Sequence, residues 1–191
     1  MKKRRWSSSA VFSKEGNRMR KRIQQLFIKM IEFDHDADLI QHFTKVHSYA
    51  KLIAEGEGMD ASARSVLEAA ALVHDIAIPL CNQKYGAHPG PLQEKEGPPL
   101  ARRLLAETGG FTEAEISRVC ALVGEHHTVE PIDGLDHQIL LEADFIVNSF
   151  ENGHARDTLY RTWRRVFATG TGREIYGVMF GLKADEAGPD A

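Results

Sequence analysis

Ionisable side chains interrupt several apolar, helix-like stretches of this chain, and this pattern constrains its fold more than any other feature. Six of them share that placement: His42 in LIQHFTKVHSYA, His74 and Asp75 at the end of EAAALVHD, His126 and His127 at the end of VCALVGEHH, and Asp144 in LLEADFIV. Burying such groups without partners costs roughly several kcal/mol each. A shared divalent cation would remove the conflict, because imidazole nitrogens and carboxylate oxygens are its ligands. The pattern therefore predicts a helical protein with a buried metal site.

Apolar residues recur at intervals of three and four along most of the chain, which is the spacing of amphipathic helices. Residues 79–93 have the composition of a loop. Pro98 and Pro99 suit the first turn of the next helix, and Thr112 with Glu115 forms a capping box for the one after it. Asp60 and Asp136 are further candidate caps. We predict an all-α, single-domain bundle of about seven helices.

Positive charge is concentrated near the N-terminus. Residues 2–22 carry nine basic side chains and one acidic one, whereas the rest of the chain carries 15 basic and 26 acidic ones. We predict a disordered basic tail over residues 1–22, the helical domain over 23–182 and a second disordered tail over 183–191. An acidic domain does not favour nucleic-acid binding; a tether to nucleic acid through residues 2–22 is the alternative.

The two cysteines, Cys81 and Cys120, do not form a disulfide framework. This favours a reduced, cytoplasmic setting. No stretch matches a membrane span of about 20 apolar residues, and no apolar run follows the basic start as in an export signal. We therefore expect no membrane partner.

These motifs together resemble the HD-domain superfamily of metal-dependent phosphohydrolases, in particular its small bacterial members, over residues 38–150. The family pattern has a His followed four residues later by Val, an adjacent His-Asp pair, and a later Asp. The matching residues are His42 with Val46, His74 with Asp75, and Asp144. The resemblance implies an HD-like helical fold in which His42, His74, Asp75 and Asp144 hold one divalent ion: Mn, Fe, Co, Ni, Zn or Mg. It also implies that His126 and His127 flank the site.

The chain departs from the family where a second metal would bind. Members with two or more metals often place a His before the Gly that opens the next helix, whereas Glu94 and Glu96 stand before Gly97 here. We expect one complete metal site, with at most a partial second site formed by Glu94 and His126. Glu94 could equally be a charge that favours the start of a helix.

A divalent ion lowers the pKa of bound water from 15.7 toward about 7 and polarises a phosphoryl oxygen. Metal-bound hydroxide would then attack phosphorus in line with the leaving oxygen. We assign Asp75 to orient the water, and His126 or His127 to stabilise charge or protonate the leaving group. Three further residues close to the site in sequence are candidates to bind substrate phosphate: Lys84, His88 and Arg102.

The predicted activity is hydrolysis of a small phosphorylated metabolite, a nucleotide or related phosphomonoester. Two alternatives remain open at this point. One is a phosphodiesterase acting on cyclic or dinucleoside substrates. The other is a metal-containing HD domain that binds a ligand or regulates a partner without turnover. A homodimer is compatible with either.

Overall fold

A computed structural model describes the backbone of residues 8–183 and the side chains of residues 16–183. Nine helices account for most of this described part: α1 (Ser8–Asp34), α2 (Ala37–Gly56), α3 (Ala61–Val73), α4 (Ile78–Tyr85), α5 (Gly90–Thr108), α6 (Glu113–Glu125), α7 (Gly134–Glu151), α8 (Arg156–Val166) and α9 (Gly170–Phe180). The all-α prediction is confirmed, with nine helices here instead of about seven. The outer parts of the predicted tails, residues 1–7 and 184–191, lie outside the described residues.

Helix α1 corrects the prediction of a disordered tail over residues 1–22. The helix begins at Ser8, so residues 8–22 are helical. Arg22 is 4% exposed and donates hydrogen bonds to both carboxylate oxygens of Glu115, at 3.0 and 2.7 Å. It also donates to the hydroxyl of Ser65. The basic sequence concealed this because the carboxylate partner lies 93 residues away.

The segment between α3 and α6 differs from the sequence prediction in a second way. The predicted loop over residues 79–93 contains α4 and the first turn of α5. Pro98 and Pro99 lie inside α5, and Pro91 occupies its first turn instead. Helix α5 packs closely against α6 at Gly97, where an added Cβ would lie 2.7 Å from a methyl carbon of Val123.

Two of the predicted caps are confirmed and one is not. The Asp60 carboxylate accepts two backbone N–H groups at the start of α3. Thr112 and Glu115 form the predicted capping box at the start of α6. Asp136, however, lies within the first turn of α7, and its carboxylate accepts hydrogen bonds from Arg118.

The central helix of the fold is α3, which packs against α1, α2, α6 and α7. Within the described residues, one segment, Ala61–Tyr85, is long and apolar enough by composition to cross a membrane, contrary to the sequence expectation. However, 67% of its most apolar window is buried inside the protein. The segment comprises α3 and α4, so burial in the helical core accounts for its composition. Its middle, where α3 ends, carries His74 and Asp75.

Candidate metal centre

The four predicted metal ligands converge from α2, the end of α3 and α7. The Nε2 atoms of His42 and His74 are 3.3 Å apart. Both lie 3.4 Å from Asp75 Oδ2. They lie 3.2 and 3.5 Å, respectively, from Asp144 Oδ1. Ligand atoms about 2.1 Å from one ion are about 3.0 Å apart in octahedral and about 3.4 Å apart in tetrahedral geometry. The donor set therefore fits a divalent cation.

Three imidazole rings each make a hydrogen bond through Nδ1, on the side away from the converging ligand atoms, and this bond fixes the tautomer of the ring. The Nδ1–H groups of His74 and His126 each donate to the backbone carbonyl three residues earlier, at 3.0 and 2.7 Å. The Nδ1–H of His42 donates to Glu151 at 2.8 Å. Carbonyl and carboxylate oxygens only accept, so each ring, when neutral, carries its lone pair on Nε2. These lone pairs face one another and the carboxylates, an arrangement that a cation stabilises.

A second group of potential ligands shares Asp75 with the first and adds His126 and His127. The Nε2 atom of His126 lies 3.3 Å from Asp75 Oδ1. Among the described residues, neither of these atoms has a hydrogen-bond partner, and the same holds for His127 Nε2, although all three are buried. Buried polar atoms without partners are rare in folded proteins and indicate a ligand, ion or water.

The adjacent pairs His74-Asp75 and His126-His127 face the same region because each stands at a helix end. His74 is the C-cap of α3 and His126 is the C-cap of α6. In mid-helix, neighbouring side chains diverge by about 100°. Beyond the last helical turn the backbone is free to bring both together. The sequence prediction for the first pair is in agreement with this geometry.

The electrostatics of the metal-free site follow from burial and from the close opposite charges. Burial favours the neutral ring of His74, but the carboxylates of Asp75 and Asp144 outweigh it and hold the pKa of His74 well above its ordinary value. Burial likewise favours neutral Asp75, but the imidazoles of His74 and His126 hold its pKa well below the usual range. Burial, followed by the charge of His126, lowers the pKa of His127.

Glu94 does not join either ligand group. Its carboxylate accepts hydrogen bonds from the backbone N–H of His127 and the hydroxyl of Thr128, both at 3.1 Å. It therefore anchors the loop after α6 and positions His127 through the backbone. This corrects the expected partial second site of Glu94 and His126, since Asp75 and His127 accompany His126 instead.

The three residues expected to bind substrate phosphate are engaged elsewhere. Lys84 forms an ion pair with Glu96 at 2.8 Å. His88 shares a 2.7 Å hydrogen bond with the side chain of Asn82. Arg102 forms an ion pair with Glu113 on the exposed side of α5 and α6. Lys84 is on α4, His88 is in the loop before α5 and Arg102 is on α5, so each pairs with the partner that its own segment brings near, and a role in substrate binding stays a prediction.

The sequence analysis missed two residues that orient the ligands. Glu151 accepts from the His42 ring, and Asn148 donates to Asp144 Oδ1 at 2.8 Å. Asn148 and Glu151 lie four and seven residues after Asp144, respectively, on the same face of α7. That spacing was the available signal. Asp34, at the end of α1, is a further carboxyl group whose pKa is affected by the site. Burial is the main cause of its raised pKa, and the charge of Asp75 contributes.

Comparison with known proteins agrees with this geometry. Residues 39–158 match the family model of the HD domain, and this range includes both ligand groups. The fold is similar to the crystal structure of a predicted HD superfamily hydrolase from an uncultured Thermotogales bacterium. The two are 24% identical with a TM-score of 0.58, over 85% of this chain and 84% of that one. Among curated proteins, none matches this chain. With a family model that spans most of its length, the chain belongs to the HD-domain family.

Proposed function

We propose that this protein is a metal-dependent phosphohydrolase that cleaves a small phosphorylated metabolite, a nucleotide or a related phosphomonoester. One observation carries the proposal: the ligand atoms of His42, His74, Asp75 and Asp144 converge, with the imidazole lone pairs fixed inward. A divalent ion bound there supplies an acidified water and polarises a phosphoryl oxygen.

We assign the other catalytic roles to side chains beside the ligand atoms. Asp75 Oδ1 is buried, lies 3.3 Å from His126 Nε2 and has no hydrogen-bond partner among the described residues, so we assign it to accept a hydrogen bond from the attacking water and orient it. His126 and His127 present Nε2 atoms to the same region. When protonated there, either ring donates a hydrogen bond to a phosphoryl oxygen or a proton to the leaving oxygen.

The space beside the centre suits a small substrate. A cavity of about 460 Å³ borders His42, and its other walls are Asp36, Asp38, Leu39, Gln41, Lys45 and Glu151. This volume lies within the range of small-molecule sites, roughly 300–1,000 Å³. Lys45 is the cationic side chain in this wall, and its ammonium is 2.5 Å from Glu151. Three carboxylates share this wall, those of Asp36, Asp38 and Glu151, so a bound cation, and not the wall, would have to supply the positive charge that attracts a phosphorylated substrate.

A second candidate function is phosphodiester hydrolysis. The observation that favours it is the second ligand group, Asp75, His126 and His127, which shares a carboxylate with the first. Paired ions held by such groups stabilise both the attacking and the leaving oxygen. Parallel assays with p-nitrophenyl phosphate and bis(p-nitrophenyl) phosphate distinguish the two activities, because only the first substrate is a monoester.

The direct test is turnover and metal binding by the same preparation. Protein stripped with EDTA and reloaded with Mn²⁺ is expected to hydrolyse p-nitrophenyl phosphate or a member of a phosphorylated-metabolite panel. Asp75→Ala should abolish turnover. Mn²⁺ should raise the melting temperature of the wild type but not of His42→Gln.

His47→Gln is the matched control for His42→Gln. It changes a histidine on the same helix that pairs with Glu68 at 3.0 Å, and it should keep both activity and the Mn²⁺ shift. Metal binding without turnover of any monoester or diester would contradict the hydrolase proposal and favour a ligand-binding domain. Absence of a Mn²⁺ shift in the wild type would contradict the metal site itself.

We further propose a cytoplasmic setting, which the two free cysteines of the described chain support.

A further inference from the structure

Helix α8 concentrates positive charge on an otherwise acidic chain. Its eleven residues include four arginines and one acidic residue, Asp157. The apolar side of the helix is buried through Leu159, Tyr160, Trp163 and Val166. The arginines are therefore on the exposed side of the helix, and the side chains of Arg161 and Arg165 are both exposed.

A groove of about 520 Å³ lies along this side of α8. Its apolar wall comes from the loop after α6 and from α7, and its polar wall comes from α8. The lining residues include Val129, Phe145, Thr158, Arg161, Thr162 and Arg165. Val129 and Phe145 are each half-buried, so an apolar surface is partly open to an occupant. We call this feature the α8 groove.

Two of the three arginines that line the groove, Arg161 and Arg165, lack a carboxylate partner within the part of the chain whose side chains are described. Arg161 donates a 3.3 Å hydrogen bond to the hydroxyl of Thr158. Asp157, one turn before Arg161, does not come within ion-pair distance of it. By contrast, four arginines elsewhere are neutralised by carboxylates: Arg22, Arg64, Arg102 and Arg118. The α8 groove thus keeps available positive charge beside an apolar surface.

We propose that the α8 groove binds a phosphate-bearing ligand with a flat apolar body, which is the chemistry of a nucleotide. A guanidinium group binds phosphate oxygens through paired N–H donors. Phe145 offers a ring, and Val129 a branched side chain, against which a flat heterocycle packs. The groove volume is that of a small-molecule site.

The proposed binding site is separate from the metal chemistry. None of the groove residues belongs to either ligand group, so binding requires neither a metal ion nor Asp75. The two sites are nevertheless close along the chain, because Phe145 follows Asp144 and Val129 comes two residues after His127. Ligand binding in the α8 groove is therefore independent of the proposed hydrolysis.

The test uses AMP as the probe and isothermal titration calorimetry as the readout. Full-length protein carrying Asp75→Asn is measured in EDTA, so that neither turnover nor metal coordination contributes. AMP is expected to bind, with adenosine and inorganic phosphate each weaker. Adding Arg161→Gln and Arg165→Gln should weaken AMP binding by about tenfold or more, whereas lysine at both positions should restore part of it.

The matched control is the pair Arg18→Gln and Arg103→Gln, which removes two exposed positive charges from α1 and α5. It should leave AMP binding unchanged, and circular dichroism checks that all variants are folded. Equal AMP affinity in the groove variant and this control would overturn the proposal, as would absence of AMP binding to the Asp75→Asn parent. Arginine-dependent binding of a single-stranded RNA 20-mer without AMP binding would also overturn it, in favour of a nucleic-acid surface.

Discussion

Glu151 has a strong influence on the candidate metal centre without belonging to its ligand set. Its carboxylate holds the Nδ1–H of His42 at 2.8 Å and the ammonium of Lys45 at 2.5 Å. The negative charge of Glu151 orients the His42 ring and makes that ring a stronger metal ligand. Glu151→Gln removes this charge. We expect Mn²⁺ affinity to fall by about 10- to 100-fold, measured by calorimetry on EDTA-stripped protein. The fold should persist, because glutamine is close in size to glutamate and the Glu151 side chain is 30% exposed.

Glu68→Gln is the control for this variant. It removes a carboxylate that accepts from another histidine of α2, His47, at 3.0 Å. Mn²⁺ affinity should be unchanged. Equal losses in the two variants would show that Glu151 acts through general charge or stability and not through the orientation of His42.

The metal-free site is expected to make stability depend on pH. His74 and His42 have a pKa raised above the ordinary 6.5, because nearby carboxylates outweigh the effect of burial. Their stabilising contribution is complete below pH 6.5 and is lost as pH rises through the raised values. The pKa values of Asp75 and Asp144 are depressed, so their contribution is already complete throughout this range. The melting temperature in EDTA should therefore fall as the pH rises above about 6.5.

The double variant His42→Gln and His74→Gln provides the reference for that measurement. Its melting temperature should vary less over the same pH interval, since neither glutamine titrates. A wild-type profile that rises with pH, or one that the variant reproduces, would contradict the assignment of the pH dependence to these rings.

At the level of single residues, the sequence predicted the convergence of ligands better than it predicted their neighbours. His42, His74, Asp75 and Asp144 are unusual in apolar stretches, and that conflict marks them without knowledge of the fold. The chemistry of Lys84, by contrast, is common on surfaces, and only its position in the folded chain shows that it pairs with Glu96. Residue type alone could not make that distinction.

Helices α7 and α9 are joined through a buried carboxylate. Glu142, fully buried on α7, accepts from the backbone N–H groups of Ala168 and Thr169 at 2.7 and 2.8 Å, and also from the Thr169 hydroxyl. Gly172, in the first turn of α9, lies against this carboxylate so closely that an added Cβ would overlap it.

Gly172→Ala is therefore expected to destabilise the protein by about 1–3 kcal/mol, because either α9 or the Glu142 network must shift. Thermal denaturation should show a decrease of roughly 2–4 °C per kcal/mol. Gly16→Ala is the matched control, since Gly16 is also helical and has no atom within 4 Å of an added Cβ. It should be neutral or slightly stabilising. A Gly172→Ala variant as stable as Gly16→Ala would contradict the described contact.

Among the helices, a boundary marked by one complete local motif was predictable, whereas a boundary with several candidate proline positions was not. The Thr112–Glu115 capping box is formed within four residues, and it marked the start of α6 correctly. The start of α5 was misplaced because Pro98 and Pro99 suggested a first turn that Pro91 already occupied. Prolines within α5 are tolerated here where it packs against α6, with Pro98 beside Gly124.

Across the whole molecule, the ion pair between Arg22 and Glu115 connects α1 to α6. Arg22 is 4% exposed and Glu115 17% exposed, so removing the cation leaves a mostly buried, partly unpaired carboxylate. Arg22→Met is expected to cost about 3 kcal/mol and to lower the melting temperature by roughly 6–12 °C. Arg18→Met, at an exposed position of the same helix, should change it little. Comparable stability of the two variants would show that residues 8–22 contribute little to the fold.

The rings of His74 and His126 each donate a hydrogen bond to the backbone carbonyl three residues earlier, and these bonds do not depend on a metal ion. Each ring is held by its own helix end, so departure of an ion leaves both rings in place. We therefore expect that a cation bound here could be exchanged for another without refolding, so that the ion held would follow the local supply.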